Sequence, residues 1–128
     1  MRRLVVLVCL LASACSGDPS GVVSMTPERA FEPASLRVRS GDTVVWSNES
    51  RDAHTVTAIE DSLPAGADYF ATGGFDSEAT ATDADNLAAA LMIEGDEFSV
   101  TFVEPGTYRY YCIPHRAEGM VGTVIVEE

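Results

Sequence analysis

Cys112, His115 and Met120 fall within nine residues of one another in the stretch Tyr110-Tyr111-Cys112-Ile113-Pro114-His115-Arg116-Ala117-Glu118-Gly119-Met120. A soft thiolate, a neutral imidazole and a weak thioether are the donors of a trigonal blue-copper electron-transfer site, which needs one further histidine. The chain has only two histidines, and the other is His54. The stretch therefore reads as a copper loop.

Two other chemistries use some of the same residues. Structural zinc sites take four Cys or His ligands, and past the first 21 residues the chain offers three, with methionine a poor fourth. Carboxylates could complete such a site, but no spacing singles any out. A nucleophilic pair of Cys112 and His115 would need an orienting third group and oxyanion donors. No such motif is visible, and Pro114 between the two suits a rigid turn.

The elements that must hold these residues are strands. Gly106 to Tyr111 and Val121 to Val126 read as strands on either side of the loop. Upstream, Val22 to Met25 reads as a first strand, after which Phe31-Glu32-Pro33 turns the chain into Ser35 to Arg39. There Leu36 and Val38 alternate with arginines, so one face is buried. Ser40-Gly41-Asp42 is a turn signal before Thr43 to Asn48, and the two runs read as neighbouring strands joined by a tight connection. Trp46 is expected in the core. The polar loop from Asn48 to Ala53 ends at His54, which opens the strand-like run Thr55 to Ile59. A ligand at a strand end is fixed by the scaffold while staying near the surface.

Residues 60–96 are too many for a structureless connection. A short helix over Asp83 to Leu91, capped by Asp83, is expected there. Phe98, Val100 and Phe102 then alternate on one face, and Glu104-Pro105-Gly106 reads as a hairpin-like turn. Seven or eight short strands with turn signals between them point to an all-β antiparallel Greek-key sandwich with a short helix in the 60–96 insertion.

Cys112, two residues, His115, four residues and Met120, with His54 far upstream, resemble the plastocyanin/azurin-type cupredoxins, and most of all the halocyanin-like blue copper proteins. The resemblance runs from Val22 to Glu128. It includes Phe31-Glu32-Pro33, Gly41 to Trp46, His54-Thr55-Val56 and Gly74-Phe75-Asp76-Ser77, and Gly73 to Ser77 resembles a short edge strand of the family. It implies a cupredoxin-like sandwich holding one copper ion that cycles between Cu(I) and Cu(II). By the same resemblance Cys112 supplies the thiolate, His54 and His115 the equatorial nitrogens, and Met120 the weak axial sulfur. Many plastocyanin-like proteins place asparagine directly after the first histidine, where it steadies the cysteine loop; this chain has Thr55.

At the other end, Met1-Arg2-Arg3, the apolar run Leu4 to Leu11 and Ala12-Ser13-Ala14 have the three regions of an export signal. The run is too short for a membrane span of about 20 apolar residues. Cys15 directly after it resembles the lipidated first residue of a bacterial or archaeal lipoprotein, although Ala12 stands where leucine is usual. Cleavage to a free exported protein is the alternative. The expected organisation is a signal over 1–14, a lipidated Cys15 with a tether over 15–21, and a copper-binding domain over 22–128. With Cys9 in the signal and Cys15 lipidated, Cys112 is left without a disulfide partner.

Twenty acidic residues against eight basic ones give a net charge of −12, and every basic residue is arginine. That argues against nucleic acid and against anionic membrane surfaces as partners, both of which need positive charge. Lysine-free acidity also resembles halophile proteins, where at 1 M salt a Debye length of about 3 Å screens the self-repulsion. The expected protein is a monomeric one-electron carrier on the outer face of the cell membrane or in the extracytoplasmic space. It serves redox partner proteins, touches membrane only through its lipid, and is not itself an enzyme. A copper storage or delivery module and a metal-free interaction sandwich are the alternatives.

Overall fold

The computed structural model describes residues 19–128. The expected signal and Cys15 lie outside the described residues. Period-two burial organises what is described, because successive strand side chains point to opposite faces. In β4 (Thr43–Asn48) Val44, Trp46 and Asn48 are buried and their neighbours only half so. Strands β1 (Gly21–Met25), β2 (Phe31–Glu32) and β6 (Glu97–Thr101) join β4 in one sheet of order β2-β1-β4-β6. A second sheet has the order β3-β8-β7-β5, from β3 (Ser35–Arg39), β5 (Thr57–Ala58), β7 (Gly106–Tyr111) and β8 (Val121–Glu127). The fold is the expected eight-stranded sandwich.

Between the sheets, Trp46 is fully buried against Phe70, Phe98 and Tyr110, with ring centroids 6.0, 5.9 and 5.3 Å away. Such aromatic pairs add about 0.5–1.5 kcal/mol each beyond the area they bury. Tyr110 lies over Gly122, its partner in the β7–β8 ladder, and any Cβ at 122 would run into the tyrosine ring.

Two connections differ from the sequence expectation. The turns at Ser40-Gly41-Asp42 and at Glu104-Pro105 are not hairpins within a sheet; each carries the chain from one sheet to the other. They are clipped together, Gly41 N donating to Phe102 O at 2.7 Å and Phe102 N to Asp42 O at 2.9 Å. Nor are the sheets purely antiparallel. The crossing makes β1 and β4 parallel, and likewise β3 and β8.

The 60–96 stretch folds as short helices. Asp83 does cap, its carboxylate accepting from Asp85 N, but it starts a 3-10 turn that runs into α2 (Leu87–Ala90). A second helix, α1 (Glu78–Ala81), is capped by Ser77. The edge strand expected around Gly73 to Ser77 does not form. Gly73 and Gly74 have φ of 89° and 75°, which breaks extended backbone. Residues 70–72 take the place beside the His54 segment instead, with Ala58 N donating to Phe70 O and Thr72 N to Val56 O. Among the described residues no helix is long and apolar enough to cross a membrane.

Candidate metal centre

The segment carrying His54 is held from both sides. His54 and Met92 exchange backbone hydrogen bonds of 3.1 and 2.7 Å, while Thr57 and Ala58 pair with Tyr111 and Tyr110 of β7. The β7–β8 ladder then closes the other loop, and Cys112 N donates to Met120 O at 3.0 Å across its neck. His115 N donates to Cys112 O, and Met120 N to His115 O, which winds the loop back on itself. One ligand atom each from His54, Cys112 and His115 lies within 4.8 Å of the others, close enough for one ion to reach all three. His54, Cys112 and Met120 are fully buried, whereas the His115 side chain stays 11% exposed. Met120 packs in the same core cluster as Cys112.

Hydrogen bonds fix the His54 ring. Ser50 Oγ donates its one proton to Asp52 O at 3.2 Å, so it accepts from His54 Nε2 at 2.7 Å. Nδ1 is then the lone-pair nitrogen, and it stands 3.7 Å from Cys112 Sγ. Ser50 is held by Asn48, whose Oδ1 accepts from Ser50 N and whose Nδ2 donates to Asp52 O and Met92 O, all at 2.9 Å. Thr55 links the two loops, donating its N–H to Cys112 Sγ at 3.4 Å and accepting from Ile113 N through Oγ1 at 2.9 Å. A threonine hydroxyl thus steadies the cysteine loop where asparagine is usual in the family.

The electrostatics suit a soft, positively charged guest. Burial, then the neighbouring His115, lowers the pKa of His54 and keeps its ring neutral, the form that binds metal. Burial raises the Cys112 thiol, partly offset by N–H groups of Thr55 and His115. A bound cation would supply the positive charge that a buried Cys112 thiolate needs, with release of the thiol proton. Two imidazoles, a thiolate and a thioether fit copper better than hard cations. Cys112 is unpaired, and no other cysteine lies among the described residues.

Fold and centre together define a two-sheet β-sandwich that carries a buried nitrogen and sulfur metal site at one loop end. Residues 22–127 match the family model described as copper binding proteins, plastocyanin/azurin family, and the chain belongs to that family. It is 38% identical over 96 residues to plastocyanin of Lactuca sativa, covering 75% of this chain and 86% of that protein. To the chloroplastic plastocyanin of Pisum sativum it is 39% identical over 97 residues, which is 76% of this chain and only 51% of that longer one. Among solved structures, a pseudoazurin from Methylobacterium extorquens superposes with a TM-score of 0.62 at 28% identity, over 84% of this chain and 74% of that one. The Cu(I) form of an amicyanin mutant gives 0.62 at 30% identity, over 86% and 84%. Copper is the cofactor of the family.

His54, Cys112 and His115 come together as the sequence expects, and Met120 lies across the loop neck from Cys112. Asn48 and Ser50 were not legible as part of the centre. Both sit in what reads as a polar surface loop, yet they are only 1% and 2% exposed. Their one sequence signal is that short side chains capable of hydrogen bonding precede a histidine that needs its second nitrogen occupied.

Proposed function

We propose that this chain is an exported blue-copper protein that carries single electrons between extracytoplasmic redox partners. The observation that carries the reading is the trio of donors gathered in the core with one of them, His115, reaching the surface. In this reading Cys112, His54 and His115 hold the ion and Met120 is the weak axial sulfur that tunes its potential. Copper supplies the one-electron couple. The protein's part is to keep the donors still, and the bonds from Asn48, Ser50 and Thr55 do so from within the fold. No water position is needed once the four donors are used, which favours carriage over delivery.

Electrons enter and leave at the His115 edge, flanked by exposed Pro114, Gly119 and Val121. Tyr111 is the rival exit, and its surroundings favour it less. Its ring is buried, the Arg116 guanidinium lies 4.0 Å above it and its hydroxyl donates to Glu78 at 2.9 Å. Residues 60–96 carry nine carboxylates and no basic residue. They steer a basic partner toward an otherwise apolar contact and make the encounter rate salt-dependent.

Direct voltammetry of the copper-loaded protein tests the reading. A reversible one-electron wave, with the same protein intensely blue when oxidised, is the expected result. Tight copper binding without reversible cycling would make it a store instead, and absence of bound copper would leave only an interaction domain.

The lipid anchor at Cys15 is part of the same proposal. It rests on Ala12-Ser13-Ala14-Cys15 after an apolar run. Two or more acyl chains, at about 0.8 kcal/mol per buried methylene, anchor stably where one chain is marginal. Cys15→Ala is expected to block processing or to move the protein from the membrane to the soluble fraction. Normal processing with unchanged membrane association would refute the anchor.

A further inference from the structure

Arg29 lies in the turn between β1 and β2 and is the one described residue other than glycine with a positive φ, 58°. That region is unfavourable for an L side chain. The turn is closed by Thr26 N to Ala30 O and by Arg29 N to Thr26 O. Its outcome is the direction of the guanidinium, which spans the two histidine loops from outside. Nε donates to Asp52 Oδ2 at 3.0 Å, and Nη1 donates to Glu118 Oε1 and Oε2 at 2.9 and 2.8 Å. Asp52 stands two residues before His54. Glu118 stands three after His115, and its Oε1 is 3.4 Å from His115 Nδ1.

Glu118 is thus a hard oxygen donor at the rim of a soft centre. Its position has a cost for selectivity, because two histidines, one cysteine and one carboxylate complete a tetrahedral zinc site. Affinity alone does not keep zinc out, so exclusion has to come from geometry and donor type. We propose that Arg29 is a positioning residue that withholds Glu118 from the metal centre and so biases the centre toward copper and against zinc. The inference rests on the reading that His54, Cys112 and His115 hold a metal ion. Swinging Glu118 inward would break both of its charged hydrogen bonds to Nη1 and leave the guanidinium facing Asp52 alone. Exposed pairs of this kind add little to folding stability. Their effect here is on which donors the ion meets.

The test uses purified full-length protein stripped of metal and titrated with Zn(II), and separately with Co(II), whose visible spectrum reports its ligands. Arg29→Ala is expected to bind Zn(II) about tenfold more tightly than the parent, a size typical of changes around a ligand shell, and to show an altered Co(II) spectrum. Arg29→Ala with Glu118→Gln is expected to return both to parental values. Arg29→Asn, which tolerates positive φ better, repeats the loss of charge with the turn intact. Unchanged zinc affinity in both Arg29 variants overturns the proposal, as does tightening that survives Glu118→Gln. A parent that turns blue with Cu(II) while the Arg29 variants keep parental zinc affinity refutes this inference alone. A parent that binds no metal refutes the carrier reading with it.

Discussion

Cys112→Ser protein is expected to take on Cu(II) without the intense blue of the parent, while keeping its β-sheet circular dichroism. The colour requires sulfur-to-copper charge transfer, and Cys112 Sγ is the thiolate that stands 3.7 Å from His54 Nδ1. A serine oxygen is a harder and poorer donor for this site. The fold should survive, because the substitution is close to isosteric and leaves the Ile113 N to Thr55 Oγ1 bond between the two loops in place. The cost in stability should be about 1–3 kcal/mol, the ordinary range for a buried substitution. Met120→Leu in the same experiment should keep the copper and the colour and shift only the potential, since an axial thioether tunes more than it anchors. Blue Cys112→Ser protein, or a copper-bound parent without colour, would remove the thiolate from the centre.

The second large effect belongs to a residue that never touches the metal. Asn48→Ala removes three hydrogen bonds at once, two of them buried and the one to Asp52 O part-buried. At a net of about 1 kcal/mol each, and with Ser50 N left unpartnered, the loss should be roughly 2–4 kcal/mol. Met92 O and Asp52 O retain other donors, His54 N and Ser50 Oγ, which keeps the figure from rising further. Copper affinity should fall about 10–100-fold, because the loop that orients His54 loses its brace. Ser50→Ala separates the two effects, since it leaves the three Asn48 bonds in place and removes only the hydroxyl shared by His54 Nε2 and Asp52 O. It should lower copper affinity with a much smaller drop in melting temperature. Parental melting temperature and parental copper affinity in Asn48→Ala would show that the brace is idle.

What the sequence makes legible follows from what periodicity and residue type encode. Strands β1, β3, β4, β7 and β8 are readable because an alternating apolar face has only one way to be buried. Turn residues are as readable, but they specify a reversal and not its destination. Hence Ser40-Gly41-Asp42 and Glu104-Pro105 pass for hairpins until the pairing of β3 with β8 and β4 with β1, and of β6 with β4 and β7 with β8, shows that each crosses between sheets. Gly73-Gly74 shows the reverse failure, since likeness to an edge strand yields to two left-handed φ values in a row. The proposed donors were legible because thiol and imidazole are few in this chain and Cys112, His115 and Met120 are closely spaced. Their supports were not. Asn48, Ser50 and Arg29 are polar residues in polar stretches, and only the three-dimensional pairing shows that two of them are buried and the third bridges both histidine loops.

The β7–β8 ladder also sets the order in which the centre's contacts become affordable to a folding chain. Tyr111 pairs with Val121, so the loop bearing Cys112, His115 and Met120 closes over ten residues, whereas His54 must find Cys112 across a sequence separation of 58. Loop-closure entropy makes the second meeting dearer by about 1.5 kcal/mol. It further depends on Met92 and on Asn48 at the end of β4 being in place, because those hold the His54 segment. Three of the four proposed donors therefore share a hairpin that can form locally, and the fourth arrives with the tertiary structure. An ion caught early by the hairpin would meet a thiolate still open to solvent and to oxidants; one that arrives after His54 has docked enters a shielded site. For this architecture the timing of metal delivery relative to folding is a chemical variable, and metal added after folding leaves the Cys112 thiol least exposed.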